Sequence, residues 1–238
     1  MTPTAHDLYP VIDATWPAAA LHQTGPWLVR DGQGGGKRVS AATAQAPVTG
    51  DDIDQAEQMQ HSLNQPALFM IRETDSALDH LLAARGYALI DPVAIYLAPT
   101  AAIASPAPPP LAAIPFWPPL EITRLIWGEG GIGPERLAVM DRVTLPKTGL
   151  LGRNGTRSAG VAFVAALGHT AMLHALEVRP GQRRQGTALN IMRQAALWAQ
   201  DQGATRISVL VTQANAPARN LYASLGMTIV GQYHYRQK

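Results

Sequence analysis

The chain has 238 residues, 47% of them apolar and 15% charged, with no cysteine and a net charge of +2. That length builds one large domain or two small ones around a real core. The lack of cysteine excludes disulfide scaffolds, thiol nucleophiles, iron–sulfur clusters and Cys-ligated zinc. The charge is unevenly shared: residues 1–99 hold 5 Lys/Arg against 11 Asp/Glu, and residues 100–238 hold 14 against 6. The second part is therefore the one suited to an anionic partner, whether nucleic acid, membrane surface or phosphorylated cofactor. Met1-Thr2-Pro3-Thr4 lacks the basic start of a secretory signal, and no apolar run reaches the roughly 18 residues of a membrane span. A cytoplasmic protein without membrane contact is expected.

Taken in order, a helix is predicted over 4–16, from Leu8, Val11, Ile12 and Thr15 at helical spacing. Strands at 26–30 and 37–43 follow, joined by the turn Asp31-Gly32-Gln33-Gly34-Gly35-Gly36. A helix over 51–64 starts on acids. Strand 67–72, helix 76–85 closed by Gly86, and strand 87–97 complete the first part.

Seven prolines between Ser105 and Pro119 preclude a helix or central strand and read as a semi-rigid linker. The charge changes sign at the same place, so the chain divides into a domain over 1–104, a linker over 105–119 and a domain over 120–238. Beyond it come helix 134–142 with Pro134 at its first position, then strands 149–153, 159–165 and 170–178. Helix 187–202, with Leu189, Met192, Ala196 and Ala199 on one face, leads to strand 206–211, helix 217–225 and strand 228–235. A strand, crossover helix and strand imply a parallel pair inside a mixed α/β sheet.

Several motifs fail on their context. Gly128-Glu129-Gly130-Gly131-Ile132-Gly133 spells a dinucleotide fingerprint but lacks the preceding strand and the later acid. Gly34-Gly35-Gly36-Lys37 has Asp31 and Arg38 where a phosphate loop needs Gly and Ser/Thr. No H-E-x-x-H or G-x-S-x-G exists, so neither zinc nor any other metal is expected. The arginines of the basic part are not interleaved with aromatics, which argues against nucleic acid.

One segment does carry chemistry. Val178-Arg179-Pro180-Gly181-Gln182-Arg183-Arg184-Gln185-Gly186-Thr187-Ala188 runs from a strand end through a basic loop into a long helix. Unpaired N–H groups and the helix dipole converge there on an anion, and Gly186 allows close backbone approach. Arg183 and Arg184 add charge-assisted hydrogen bonds. An ordinary solvated arginine pair at a helix start is the competing reading of this segment alone.

The run resembles the acetyl-CoA signature R/Q-x-x-G-x-G/A of the GNAT N-acetyltransferases, filled by Arg183, Gly186 and Ala188. Downstream, Asn215, Ala218, Tyr222 and Gly226 are similar to the family's N-x-x-A-x-x-x-Y-x-x-x-G-F pattern, with Met227 in place of Phe. The resemblance covers about 120–238. It implies a GNAT acyl-CoA N-acyltransferase fold in which strands 170–178 and 206–211 splay apart. Pantetheine would lie along the backbone from Leu176 to Val178, with Asn215 facing it. The diphosphate would sit on the amides of Arg184, Gln185, Gly186, Thr187 and Ala188.

The implied activity is direct transfer of acetyl from acetyl-CoA to a primary amine of a small or amino-acid-like acceptor. The alternative is an acyl-CoA-binding module that catalyses nothing. Such transfer needs a neutral amine, a stabilised oxyanion and a proton for the departing thiolate. The amide near Leu176 suits the oxyanion, and Tyr222 the thiolate. His174, Glu177 or water are open as the base, and strand alternation sets His174 with Leu176 and Glu177 with Leu173. Tyr233-His234-Tyr235-Arg236 has two readings, a wall of the acceptor site or a closing strand with alternate side chains exposed, and the second is preferred. The first domain loosely repeats the fold without a cofactor loop. It reads as a degenerate GNAT-like copy, in a monomer or homodimer.

Overall fold

The computed structural model describes residues 3–238; Met1 and Thr2, from the segment read for a signal, lie outside the described residues. Helix α1 (Ala5–Thr15) leads into a hairpin of β1 (Ala20–Thr24) and β2 (Trp27–Asp31), then one tight helical turn at Lys37–Val39 and the short β3 (Thr43–Ala44). Next come α2 (Gly50–Ser62), β4 (Leu68–Arg72), α3 (Ser76–Ala84), β5 (Ala88–Pro99) and α4 (Thr100–Ala104). The remainder is β6 (Ala113–Phe116), α5 (Glu121–Glu129), α6 (Pro134–Arg142), β7 (Lys147–Asn154), β8 (Arg157–Leu167) and β9 (Thr170–Val178). It ends with α7 (Thr187–Asp201), β10 (Arg206–Thr212), α8 (Ala216–Ser224) and β11 (Thr228–Gln237).

Eight strands form one sheet in the order β4-β11-β5-β10-β9-β8-β7-β6, and β1-β2-β3 form a smaller one. A single parallel bridge, Ala42 to Phe69, links the approach of β3 to β4. Strands from the two sides of the Pro-rich stretch interleave. β5 lies between β10 and β11, and β11 lies between β5 and β4. Each part lends its last strand to the other. About the antiparallel β5–β11 pair the order repeats outward: β4 answers β10, and β3 answers β9. The helices α3 and α8 that precede the exchanged strands both stop at a glycine with positive φ, Gly86 at +84° and Gly226 at +74°. Only glycine adopts that conformation without strain.

Some expected elements differ. Residues 37–41 are not a strand, because Gly36 turns the chain at φ +99° into a tight helical turn; only Thr43 of the expected strand joins β3 and pairs with β2, whose main partner is the unpredicted β1. The glycines before it are packing positions. A Cβ on Gly35 would stand 2.6 Å from the Val139 side chain and 3.0 Å from the Gly32 carbonyl. The Pro-rich stretch is not wholly a linker. Residues 113–116 are β6 on the sheet edge, where a strand proline such as Pro115 is tolerated. Helix α5, hidden in the sequence by the prolines before it, follows directly.

One face of the large sheet is covered by α4, α7 and α8, which bury Ile191, Met192, Ala195, Ala196 and Ala199 of α7 against β7, β8 and β10. The alanines let the helix lie close to the strands. The opposite face is covered by α1, α5 and α6. Helix α1 begins with Thr4 and Asp7 in a reciprocal cap. Its buried stripe of Leu8, Val11, Ile12 and Thr15 packs on β8, β9 and β11. Burying Leu8 and Ile12 contributes about 1.5–3 kcal/mol each. No described helix is long and apolar enough to cross a membrane.

Candidate active site

Strands β9 and β10 are paired in parallel only from Thr170/Arg206 to Leu173/Val209, although β9 continues to Val178 and β10 to Thr212. They splay where the sequence expected. A bulge at Ala175, with φ +52°, accompanies the opening. Against β8, Phe163 pairs with His174 and Val161 pairs with Glu177, so an extra residue stands on β9. The bulge corrects the simple alternation. Phe163 and Val161 share a face, so His174 and Glu177 share one too, while Leu176 turns toward α7. Trp127 of α5, fully buried, donates from Nε1 to the Ala175 carbonyl at 2.9 Å and holds the bulge in place.

The loop from β9 to α7 makes a short turn at Pro180–Gln182. It then curls through two left-handed residues, Arg184 (φ +64°) and Gly186 (φ +81°). No side chain caps α7. The first helical N–H with a backbone partner is that of Asn190, on the Gly186 carbonyl at 3.0 Å. The earlier amides are left to point outward, as helix starts do. Thr187, 2% exposed, has a buried Oγ1 with no hydrogen-bond partner. Gln182 and Gln185 both accept from Asn154 Nδ2, and Arg183 Nε donates to the Val178 carbonyl at 3.1 Å. The loop is thus braced, with its guanidinium groups at the surface. Asn215 caps α8 through its Oδ1, which accepts from Ala218 N–H at 3.2 Å. That acceptor serves the helix rather than the groove.

His174 is buried and enclosed. Arginine can only donate, so Arg38 Nη1 at 3.1 Å fixes Nδ1 as the acceptor and leaves the proton on Nε2. That proton goes to Thr15 Oγ1 at 2.9 Å, and Thr15 passes its own to the Val11 carbonyl at 2.6 Å. Burial first, and the Arg38 charge second, hold the imidazole pKa well below its ordinary value. The ring is neutral, both nitrogens are engaged, and Trp16 lies against it at 5.0 Å between centroids. The lone pair that a base would use faces Arg38.

Glu177 is half-buried, and burial raises its pKa while nearby Arg183 pulls it partly back. It fits because residue 130 is glycine: a Cβ there would lie 2.3 Å from Glu177 Cγ. The glycine-rich run at the end of α5 therefore makes room for a carboxylate. Tyr222, on α8, is buried with its ring 5.7 Å from that of Tyr96, and burial raises its phenol pKa.

On the α1, α5, α6 face a cavity of about 240 Å³ opens beside the bulge. Ala175 and Thr212, both beyond the last β9–β10 pair, line it together with His174. Its other walls come from the turn after β2, from α6 and from β11, through Arg38, Arg136, Tyr233 and Tyr235. Sequence reasoning missed Thr15, Arg38, Trp127, Gly130 and Arg136. Tyr233 and Tyr235, read as ordinary strand residues, are buried at the cavity wall. None of these carries a local motif; only the topology brings them together.

Residues 144–227 match the model described as "Acetyltransferase (GNAT) family". The "Uncharacterized N-acetyltransferase YobR" of Bacillus subtilis (strain 168) is 26% identical over 236 residues, covering 94% of this chain and 95% of that protein. Among solved structures, a GCN5-related N-acetyltransferase from Kribbella flavida aligns with a TM-score of 0.74 at 15% identity, covering 100% of this chain and 96% of the other. A tandem GNAT protein from the clavulanic acid biosynthesis pathway aligns at 0.58 and 11% identity, over 98% and 87%. Residues 144–227 thus match the GNAT acetyltransferase family, and the whole chain has the fold of GNAT acetyltransferases, a tandem one among them.

Proposed function

We propose that the protein moves an acetyl group from acetyl-CoA directly to a primary amine of a small or amino-acid-like acceptor. The observation that carries this reading is the open β9–β10 edge running into the uncapped start of α7. The residues present fit the co-substrate. The outward amides of Arg184, Gln185, Gly186, Thr187 and Ala188 and the partnerless Thr187 Oγ1 would hold a diphosphate, with Arg183 at the rim. The edge of β9 from Leu176 to Val178, which β10 leaves unpaired, would hold amide groups of the pantetheine arm, Arg183 giving up the Val178 carbonyl it now binds. Acetyl-CoA, when bound, supplies an activated thioester.

The protein's own groups divide the remaining work. Glu177, with its pKa raised and on the cavity face of β9, takes the amine proton directly or through water. Tyr222, a phenol that burial keeps firmly protonated, would give its proton only to the thiolate that develops as the sulfur leaves. His174, neutral, is a positioning residue that holds Arg38. The test is release of CoA thiol from acetyl-CoA across an amine panel. Tyr222→Phe should lower kcat by about 100-fold with CoA affinity nearly intact. Unchanged turnover removes Tyr222 from the chemistry. CoA binding with no release on any amine would favour a binding module instead.

A further inference from the structure

We infer that the acceptor carries an anionic group, a carboxylate or phosphate on the same small molecule as the amine, and that Arg38 and Arg136 hold it. The inference rests on the acetyl-transfer reading for the identity of the reacting amine, but the anion site stands on its own geometry.

Three cations, Lys37, Arg38 and Arg136, line the cavity beside the bulge, against one carboxylate, Asp91. Asp91 is already matched by Lys37 at 2.6 Å. Among the described residues, no carboxylate pairs with Arg38 or Arg136. Arg38 is instead held by two neutral rings: it donates to His174 Nδ1 at 3.1 Å and stands 5.9 Å over Trp16. Its Nε is buried without a partner. A guanidinium braced by neutral groups, with a donor left over beside a cavity, is built to receive an anion. Arg136 adds the second charge from α6, close to the turn at Gly36, where an added Cβ would lie 3.5 Å from its guanidinium.

The placement also serves the reaction. Ala175 and Thr212, where the strands part, line this same cavity. An acceptor anchored by its anion therefore presents its amine to the splay. With a carboxylate bound, one of the two guanidinium charges is still unmatched and disfavours an ammonium ion, which favours the neutral, nucleophilic amine. Hydrogen-bonding to His174 keeps Arg38 in position, which explains a buried neutral histidine at this spot.

The experiment compares acceptors that differ only in the anion: L-phenylalanine with phenethylamine, L-lysine with cadaverine, and phosphoethanolamine with ethanolamine. CoA release should favour the anionic member of at least one pair by about 10- to 100-fold in kcat/KM, the worth of one charge-assisted bond. The first two pairs report a carboxylate and the third a phosphate. Arg136→Gln, on an exposed helix position, should collapse that ratio at least tenfold, and Arg136→Glu should invert it. Equal use of both members of every pair, or a ratio untouched by Arg136→Gln, overturns the inference. A second readout is the melting temperature with each compound and no acetyl-CoA. Should no amine be acetylated, stabilisation by the anionic members that is lost in Arg136→Gln upholds the anion site while the transfer reading fails. No stabilisation by any of them overturns the site as well.

Discussion

At the scale of single residues, His174 shows how far a strand pattern can be trusted. The sequence marks an imidazole on the right strand, near the right opening. It cannot show that Thr15, 159 positions away, and Arg38, 136 away, engage both nitrogens. The pKa direction gives a test. The folded pKa lies well below 6.5, so above pH 6.5 both folded and unfolded chains hold the ring neutral and its contribution is complete. As pH falls through 6.5 the unfolded chain binds a proton that the folded one refuses, and stability drops by up to about 1.4 kcal/mol per pH unit until the folded pKa is reached. Gln at 174 can still accept from Arg38 and donate to Thr15 without titrating. Urea unfolding from about pH 7.5 to 5.5 should therefore show a shallower loss of stability in His174→Gln. Identical slopes in the two proteins would mean that the native ring protonates freely.

At the scale of elements, the loop before α7 was legible because its chemistry is local. A strand end, two arginines, a glycine and a helix start lie within eleven consecutive residues, Val178 to Ala188. The bulge one strand earlier was not legible. Ala175 adopts φ +52° with no glycine to announce it, and its carbonyl is satisfied by Trp127 from a helix the prolines concealed. A one-residue bulge reverses the facing of everything after it, which is why Glu177 joins His174 rather than Leu173. Helix α2, the counterpart of α7, shows the converse: its Thr49 N–H and Oγ1 are both bound by Asp52, and the negative carboxylate closes its N-terminus to anions. Gly186 is the test of the open start. At φ +81° a β-branched residue is strained, so Gly186→Val should cost about 1–3 kcal/mol of stability. It should also weaken CoA binding at least tenfold by calorimetry, since a side chain blocks the close approach. Unaltered CoA affinity would place the diphosphate elsewhere.

At the scale of the whole molecule, the charge asymmetry and the Pro-rich stretch invited a picture of two beads on a linker, and the sheet has a different logic. The acidic part supplies Lys37 and Arg38 to the cavity, and α1 from that part supplies Thr15. The cavity is therefore walled from both sides of the stretch, by Lys37 and Arg38 from one and by Arg136, His174, Tyr233 and Tyr235 from the other. The bond between them is the strand exchange. β5 makes seven residue pairs with β10 and eight with β11, both antiparallel and central in the sheet. Either part alone would expose a long unpaired strand edge, which favours aggregation over folding. Residues 109–111, by contrast, are exposed and join no strand. A protease site placed there should be cut without loss of structure. The two fragments should co-elute from a sizing column at the mass of the intact chain, unfold in one cooperative transition and part only in denaturant. Acetyl transfer, where measured, should survive the cut, because the exchanged strands and not the peptide link hold the cavity walls together. Fragments that separate under native conditions would refute the strand exchange as the joint and return the stretch to the role of a tether.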